Sequence, residues 1–252
     1  MKTIKQLLYK IFGLKTYLKI VSCVYIKYIS YGFGKKKYAE LHYLKNIIKQ
    51  DFVCIDIGAN LGYYSYFLSK ILGNNGKLIA IEPVPLFGKI WRKNIKKSNS
   101  KNIIFYPYAL GAENKNMKME MPIINGNVRH GMTQIVDNVE TNTIHNAVKT
   151  SSFTFDVEMK IPDELFASIE RIDFIKMDIE GYEHIALENM KKTLIKHKPL
   201  IQAELGGKEN RQKSIKILLD ISYKIYVLKD NELVEIDEKD IENYGGDFYF
   251  RN

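Results

Sequence analysis

The run Val53–Ser65 (VCIDIGANLGYYS) constrains the fold of this 252-residue chain more than any other part of it. Residues typical of a buried strand lead directly into a glycine-containing turn, and a helix-like stretch follows. Gly58 permits the tight turn, and Gly62 lets the helix begin close to the sheet and to a ligand. The run therefore predicts a strand-turn-helix corner that binds a ligand, with a corner of purely structural purpose as the plainer alternative.

The residues of this corner distinguish between two kinds of ligand. The dinucleotide pattern G-x-G-x-x-G fails here, because Asn60 and Tyr63 occupy its second and third glycine positions. Asp56, at the end of the strand, would repel a pyrophosphate, whereas it suits the ammonium and sulfonium groups of S-adenosylmethionine. The corner therefore favours S-adenosylmethionine as the cofactor and disfavours an NAD-dependent oxidoreductase.

The ends of the next two predicted strands carry further candidate cofactor contacts. Glu82, in the sequence IAIEP, is expected to accept hydrogen bonds from both ribose hydroxyls of an adenosine group. Taken alone, such an acid is more often a helix cap or a surface residue. The third strand ends in the sequence YALG, where Ala109 is expected to form a wall against the adenine. Tyr63, directly after Gly62, is expected to contact the cofactor as well.

Beyond the corner, strand-like and helix-like stretches alternate, which is typical of a mostly parallel, doubly wound α/β sheet. We expect helices at 38–49, 63–72, 86–97, 182–196 and 212–221. We expect seven strands in the sheet, at 52–57, 77–81, 103–108, 174–177, 200–204, 224–228 and 247–251.

The alternation stops at residues 112–170, which we interpret as an insertion for substrate recognition between strands three and four. Strands are expected at Met117–Met121 and Ser152–Met159. Between them, Arg129 could grip a phosphate or carboxylate of the substrate, and His130 could act as a base near neutral pH. An exposed loop without function is the alternative for this segment.

Three carboxylates follow the fourth and fifth strands, where a base for methyl transfer would be expected. Asp178 and Glu180 follow Met177, and Glu204 ends the strand after it as a third carboxylate facing the substrate. The first two could instead cap the following helix, and we expect Glu183 on the exposed surface of that helix. Three carboxylates could also bind Mg²⁺, although oxygen ligands alone are a weak signal and the metal is not expected.

Residues 1–50 form a basic extension ahead of the main domain at 51–252. They contain eleven lysines and one acid, Glu40, so their net charge is +10 and that of the remaining residues is −1. Basicity confined to an extension argues against a nucleic-acid partner. The apolar residues recur at helical spacing, which predicts amphipathic helices packed on the domain, with a membrane-surface helix, a lid or a homo-oligomer contact as alternatives.

Five segments together resemble the FkbM family of methyltransferases: DIGANLGYYS, IEP, YALG, FIKMDIEGYEHIALENM and PLIQAEL. The resemblance covers about residues 50–205 and implies a Rossmann-like class I methyltransferase fold. For much of that family it implies O-methylation of sugars or natural products. Matched position by position, it implies that the cofactor contacts are Asp56, Gly58, Asn60, Gly62 and Glu82.

The function expected from these observations is O-methylation of a hydroxyl on a carbohydrate or nucleotide-linked sugar, in bacterial surface polysaccharide biosynthesis. A lipid or natural-product acceptor, and a non-catalytic S-adenosylmethionine-binding protein, stay open as alternatives. Two widely separated cysteines, Cys23 and Cys54, fit a reducing compartment. We therefore expect a cytoplasmic protein, with the inner face of the membrane as a further option.

Overall fold

The computed structural model describes residues 2–96, 102–135 and 149–252. Two helices, α1 (Lys2–Ser30) and α2 (Ala39–Ile47), precede the glycine corner. The elements that follow are β1 (Val53–Ile57), α3 (Tyr63–Ile71), β2 (Lys77–Ile81), α4 (Pro85–Ile95), β3 (Ile103–Tyr106), β4 (Tyr108–Leu110), β5 (Lys115–Ile124), β6 (Asn127–Val128), β7 (Gln134–Ile135) and β8 (Lys149–Lys160). The last group is α5 (Pro162–Leu165), β9 (Phe174–Met177), α6 (Glu183–Glu188), α7 (Lys191–His197), β10 (Leu200–Ala203), α8 (Lys208–Asp220), β11 (Lys224–Lys229), β12 (Glu232–Glu235) and β13 (Phe248–Arg251).

The central sheet has the strand order β12-β11-β13-β10-β9-β1-β2-β3. The strands from β10 to β3 are parallel, and β13 is antiparallel to both of its neighbours. The predicted mostly parallel sheet is thus confirmed, with eight strands in the described residues instead of seven. The eighth arises because β11 turns back into β12 through Asp230 and Asn231, whose φ angles of 50° and 65° suit a tight hairpin.

The predicted strand at 103–108 is divided between two sheets. β3 ends at Tyr106 and pairs with β2, whereas β4 begins at Tyr108 and pairs with β8. Pro107 stands between them and has no N–H to donate to a ladder. The chain therefore leaves the central sheet at this proline.

The insertion forms a second sheet, in which β4, β8, β5 and β6 are neighbours and β7 pairs with β5. Its main ladder joins β5 and β8 in antiparallel register from Lys115 opposite Met159 onwards. The two strands expected in this segment are confirmed and are longer than expected. Residues 136–148 of the insertion lie outside the described residues.

The helix expected at 182–196 is two helices, α6 and α7. The carboxylate of Asp163 accepts hydrogen bonds from the backbone N–H groups of Lys192 and Thr193, at 3.2 and 2.8 Å. A cap supplied from a distant segment therefore starts α7 separately, and no local pattern marks such a cap.

Helix α1 packs against α3, α4 and the second sheet. It bends at Gly13, whose φ of 69° and ψ of 169° are not helical. Leu18 is fully buried, and Tyr17 and Val21 are almost so. The extension thus packs on the domain, which is one of the arrangements expected for it. Within the described residues, no helix combines the length and apolarity needed to cross a membrane.

Candidate active site

A cleft of about 480 Å³ opens at the carboxyl ends of β1, β2, β9 and β10. Ligands of parallel α/β sheets bind at this edge. Its walls include the turn at His130–Met132 from the insertion and, from the N-terminal segment, Val21, Tyr25, Ile29 and Tyr38. Of the arrangements expected for residues 1–50, only the lid alternative would place them at the site.

The glycine corner is packed tightly against the end of β9. Gly58 has a φ of 80°, and a Cβ atom built on it would overlap the carbonyl oxygen of Asp178. Gly62 has a φ of 92° and forms the start of α3, where a Cβ would lie 2.9 Å from Trp91. Both positions therefore require glycine, for conformation and for space. Gly62 shapes the loop but does not line the cleft.

Glu82 is a fixed acceptor at the edge of the cleft. Its two carboxylate oxygens accept the backbone N–H groups of Asn60 and Val84, both at 2.8 Å. Burial raises the pKa of Glu82 to about 7, although these two hydrogen bonds lower it. Each carboxylate oxygen has further lone-pair capacity, so both can still accept hydrogen bonds from a ligand.

Asn60 leaves a polar atom available to a ligand. Its backbone is left-handed, with a φ of 47°, and its Nδ2 donates to the carbonyl oxygen of His130 at 3.4 Å. Its Oδ1 is buried without a hydrogen-bond partner in the described part of the chain. Buried polar atoms are normally paired, so a donor on a bound ligand is the natural partner of this one.

Asp56 lines the cleft and belongs to a buried network. Ser65 donates its hydroxyl to Oδ2 of Asp56, and Nε1 of Trp91 donates to Ser65 at 2.8 Å. Burial raises the pKa of Asp56 to about 6, while Ser65 and Lys176 oppose that change. Asp56 is thus a negative charge in a dry position beside the loop, where a cationic ligand group would stabilise it.

Tyr63 and Ala109, also expected at the cofactor, line the cleft. The ring of Tyr63 lies 6.0 Å from that of Tyr25 on α1, measured between centroids. Tyr25 lies at the same distance from Tyr38. A row of three aromatic rings therefore links the corner to the N-terminal segment.

Asp178 and Glu204 form a hydrogen-bonded carboxyl pair after β9 and β10. The negative charge of Asp178, followed by burial, raises the pKa of Glu204 to about 7. Burial also raises the pKa of Asp178, but the hydrogen bond from Glu204 and the charge of Lys176 counter it. The hydrogen bond therefore acts in opposite directions on the two carboxyls, because it raises the pKa of Glu204 and lowers that of Asp178.

Glu180 occupies a left-handed turn, with a φ of 55°, between this pair and the insertion. More than a third of its surface is exposed, yet it lines the cleft, and a Cβ on Gly131 would lie 3.9 Å from its Oε1. The pKa of Glu180 is raised to about 8, first by partial removal of water within the cleft and then by the charges of Asp178 and Glu204.

Glu183 corrects an expectation. It is fully buried rather than exposed, and its two carboxylate oxygens accept the N–H groups of Ile179 and Gly181 at 2.8 and 3.0 Å. Asn210 donates to it as well, at 2.6 Å. Glu183 therefore fixes the turn that presents Glu180, and neither Asp178 nor Glu180 is the side-chain cap of α6, whose N-cap is Tyr182.

The two candidates from the insertion have different positions. His130 lines the cleft, with its ring 6.5 Å from that of Phe87 and edge-on to it. Arg129 is exposed and does not line the cleft. Its position thus gives no support to the prediction that it grips the acceptor.

Lys176 is a charged residue of the cleft that the sequence analysis did not single out. It lies within β9, opposite Asp56 on β1 and Gln202 on β10, and its side chain is 2% exposed. Its Nζ lies 3.3 Å from Oδ2 of Asp247 and 4.9 Å from the ring centroid of Tyr64. An ionisable residue inside an otherwise apolar strand was the available signal, because a buried charge requires a partner.

Lys176 sits beneath the acidic residues of the cleft. Burial lowers its pKa, but the charges of Asp247, Asp178 and Glu204 more than reverse that effect and raise it. The lysine is therefore a permanent cation that offsets part of the negative charge around it. In the described ranges, no group of three or more His, Cys, Asp and Glu side chains is arranged to hold a metal ion.

Comparison with solved structures gives the class of protein that this fold defines. The chain has the Rossmann-like fold of a methyltransferase FkbM from Methylobacillus flagellatus, with a TM-score of 0.52 at 16% identity. The match covers 81% of this chain and 44% of that one. The architecture is thus that of the class I S-adenosylmethionine-dependent methyltransferases.

The family follows from the sequence profile of the methyltransferase FkbM domain, which matches residues 56–239. The chain therefore belongs to the methyltransferase FkbM family. It is also 31% identical over 65 residues to a protein-L-isoaspartate O-methyltransferase of Caenorhabditis elegans, covering 26% of this chain and 29% of that protein. The match covers less than half of the length of the Methylobacillus flagellatus protein and of the Caenorhabditis elegans protein.

Fibrillarin from Aeropyrum pernix, solved with natively bound S-adenosyl-L-methionine, is a weaker structural match. It has a TM-score of 0.46 at 12% identity, covering 85% of this chain and 74% of that one.

The residues of the cleft fit the cofactor of the family. Glu82 offers two fixed acceptors for a pair of ribose hydroxyls, and Oδ1 of Asn60 offers an unpaired acceptor for an ammonium group. Asp56 supplies negative charge near the same loop. These residues would hold S-adenosylmethionine, which supplies an electrophilic methyl group. The family gives no support to the alternative of an NAD-dependent oxidoreductase.

Proposed function

We propose that this enzyme transfers the methyl group to a hydroxyl of a carbohydrate. The observation that carries the proposal is the group of carboxyls at the ends of β9 and β10, next to the glycine corner. A hydroxyl is a poor nucleophile unless its proton is removed as it reacts, and a positioned carboxylate does this. The close packing of Gly58 on Asp178 brings the carboxyls and the cofactor loop to one place.

The proposed step is an in-line displacement. The acceptor oxygen forms a bond to the methyl carbon while the carbon–sulfur bond breaks, and its electron pair stays on sulfur. The hydroxyl proton passes to a carboxylate and from there to water. The products are a methyl ether and neutral S-adenosylhomocysteine. Alignment of the acceptor with the sulfonium contributes several kcal/mol on general grounds.

Glu180 is the proposed base. Its pKa of about 8 is matched to proton transfer near neutral pH, and its carboxylate faces the insertion across the cleft. Asp178, ionised beside Glu204, is proposed to hold the acceptor hydroxyl and to offset the positive sulfonium. His130 is the competing base, because it lines the same cleft.

The charge of the cleft bears on the choice between a sugar and a nucleotide-linked sugar. Lysines 37 and 176 line the cleft together with seven carboxyl groups: Glu40, Asp56, Glu82, Asp178, Glu180, Glu204 and Asp247. A diphosphate group would be repelled by this surface. Within the proposal, an acceptor without phosphate is therefore favoured over a nucleotide-linked sugar.

Lipid-linked sugars are a second acceptor class, which the apolar wall of the cleft favours. Val21, Ile29 and Leu41 line it on the side of the N-terminal segment. Apolar groups of a lipid-linked sugar would gain by burial there. The setting that we propose is bacterial surface polysaccharide biosynthesis in the cytoplasm, at the inner face of the membrane.

The test is release of S-adenosylhomocysteine by the purified protein with uncharged sugars, lipid-linked sugars and nucleotide sugars, each with and without Mg²⁺. We expect acceptor-dependent release with a sugar hydroxyl and its loss in Glu180→Gln. Binding of S-adenosylmethionine without release on any acceptor would favour a non-catalytic cofactor-binding protein. Release with an amine or carboxylate acceptor alone would overturn O-methylation of sugars.

A further inference from the structure

The outer face of α1 is unusually apolar for a surface. Exposed large hydrophobic side chains in the described residues are concentrated on α1 and the turn after it: Leu7, Ile11, Phe12, Val24, Tyr28, Tyr31 and Phe33. The other two are Ile195 and Val234, which lie elsewhere. The exposed fractions reach 62% at Ile11 and 76% at Tyr31. A concentration of exposed apolar side chains of this kind marks an interaction site.

Lysines surround this apolar face. Lys10, Lys15 and Lys27 are exposed on the helix, and Lys35 and Lys36 are exposed on the turn that follows. The single acid of the segment, Glu40, lies in the cleft instead. The surface that α1 presents is therefore apolar and positively charged, without acidic side chains of its own segment.

We propose that this face, defined by the seven apolar residues above and their lysines, docks on the surface of an anionic lipid bilayer. Aliphatic and aromatic side chains enter the boundary between headgroups and acyl chains, and the lysines pair with anionic headgroups. A second copy of the chain is a poorer occupant, because its own residues 1–50, with their net charge of +10, would enter the contact. A nucleic acid would pair with the lysines but offers no partner to Leu7, Ile11 and Val24.

The docking face borders the mouth of the cleft. A Cβ on Gly34 would lie 2.9 Å both from the ring of exposed Tyr28 and from that of Tyr38, which lines the cleft. The same helix supplies Val21, Tyr25 and Ile29 to the cleft wall. Docking would therefore bring the cleft to the bilayer surface, where an acceptor on a membrane-borne amphiphile can enter. This last consequence rests on the proposed function, whereas the docking itself does not.

The experiment is sedimentation of the full chain with phosphatidylcholine vesicles, with and without phosphatidylglycerol. The apolar variant combines Leu7→Ser, Ile11→Ser and Phe12→Ser, and the charge variant combines Lys10→Glu and Lys15→Glu. The matched control combines Ile195→Ser and Val234→Ser, the exposed hydrophobic residues outside the face. Binding of S-adenosylhomocysteine by each variant reports that its fold is intact.

We expect the protein to sediment with anionic vesicles only, and the apolar and charge variants to bind at least tenfold more weakly than the wild type and the control. No binding by the wild type, or equal binding by all variants, would overturn the proposal. So would a lipid-free dimer that the apolar variant dissociates, or retention on single-stranded RNA in preference to vesicles. None of these measurements depends on turnover, so loss of docking and loss of methyl transfer are separable.

Discussion

The ammonium group of Lys176 lies 3.3 Å from the carboxylate of Asp247, with 2% and 10% of the two side chains exposed. This pair forms the floor of the cleft beneath Asp178 and Glu204, which also raise the pKa of the lysine. Among the described residues, one other lysine lines the cleft, Lys37. Lys176 is therefore the buried cation among the carboxyls that we propose to be catalytic, in the part of the chain that the structure describes.

The variant Lys176→Met removes this cation and should raise the pKa of Glu180 and Glu204, the carboxyls that we propose to be catalytic. The rising limb of the pH profile of methyl transfer should move to higher pH, because ionisation of Glu180 and Glu204 would lose its compensating charge. Stability should fall by about 3 to 5 kcal/mol, as expected when one partner of a buried pair is removed. The profile of kcat against pH is the informative readout.

The variant Asp247→Asn tests the same idea from the other side. It removes a negative charge, so the rising limb of the pH profile of methyl transfer should move to lower pH if the fold is retained. A profile that stays in place in both variants would contradict an electrostatic role of Lys176 and leave only a structural one.

Glu180→Gln and Asp178→Asn should separate the base from its neighbour. If Glu180 accepts the proton, Glu180→Gln should lower kcat by about 10²- to 10⁴-fold and abolish the titration near pH 8. Asp178→Asn should instead lower the pKa of Glu204 from about 7, since the charge of Asp178 is the main cause of its elevation. Retention of the pH 8 limb in Glu180→Gln, with its loss in His130→Ala, would transfer the role of base to the histidine.

Glu82, which we propose to hold the ribose of the cofactor, should act on binding more than on chemistry. Glu82→Ala removes two acceptors, and hydrogen bonds to a charged group contribute about 1.5 to 3 kcal/mol. We therefore expect the Kd for S-adenosylmethionine, measured by calorimetry, to rise at least tenfold with a smaller change in kcat. Unchanged affinity would show that the ribose is held elsewhere.

Gly58→Ala should disrupt the corner. The new Cβ would overlap the carbonyl oxygen of Asp178 and would require an alanine at a φ of 80°. We expect a loss of stability of several kcal/mol, by analogy with overpacking and left-handed strain together. Gly206→Ala is the control, because nothing lies within 4 Å of its Cβ and its φ is not left-handed. Similar unfolding midpoints for the two variants in urea would argue against the packing described for the corner.

The parts of the fold that could be predicted depend on local patterns. β2 and β9 have the bounds that their apolar runs predict, and the corner at Gly58 has the expected backbone. The division at Pro107 depends on a second sheet that pairs β4 with β8, residues distant in sequence. Local sequence contains the proline but not the partner strand.

The same limit applies to the site. Asp56 lies near the end of β1, and Glu82, Asp178 and Glu180 follow strands. Their convergence at one sheet edge therefore follows from the parallel topology. The contribution of Tyr25 depends on how α1 packs across the domain, which its amphipathic pattern does not specify. Glu183 was expected at the surface because its helix position indicated exposure, yet the partners Ile179 and Asn210 make its burial favourable.

The final prediction concerns stability and pH, and its sign follows from Glu82. The pKa of this group is raised from 4.5 to about 7 by burial, so the folded protein retains a proton that the unfolded chain releases. Between about pH 4.5 and 7 the folded state binds more protons, and its stability must fall as the pH rises. The loss from Glu82 is about 3 kcal/mol at most, and Asp56, with its pKa raised to about 6, acts in the same direction.

Unfolding in urea at a series of pH values measures the slope of stability against pH. Glu82→Gln should reduce this slope whatever its effect on stability at any one pH, while Glu238→Gln, at an exposed site, should not change it. A slope of unchanged size in Glu82→Gln would mean that Glu82 is ionised when the cleft is empty, and that its burial is compensated within the apo protein.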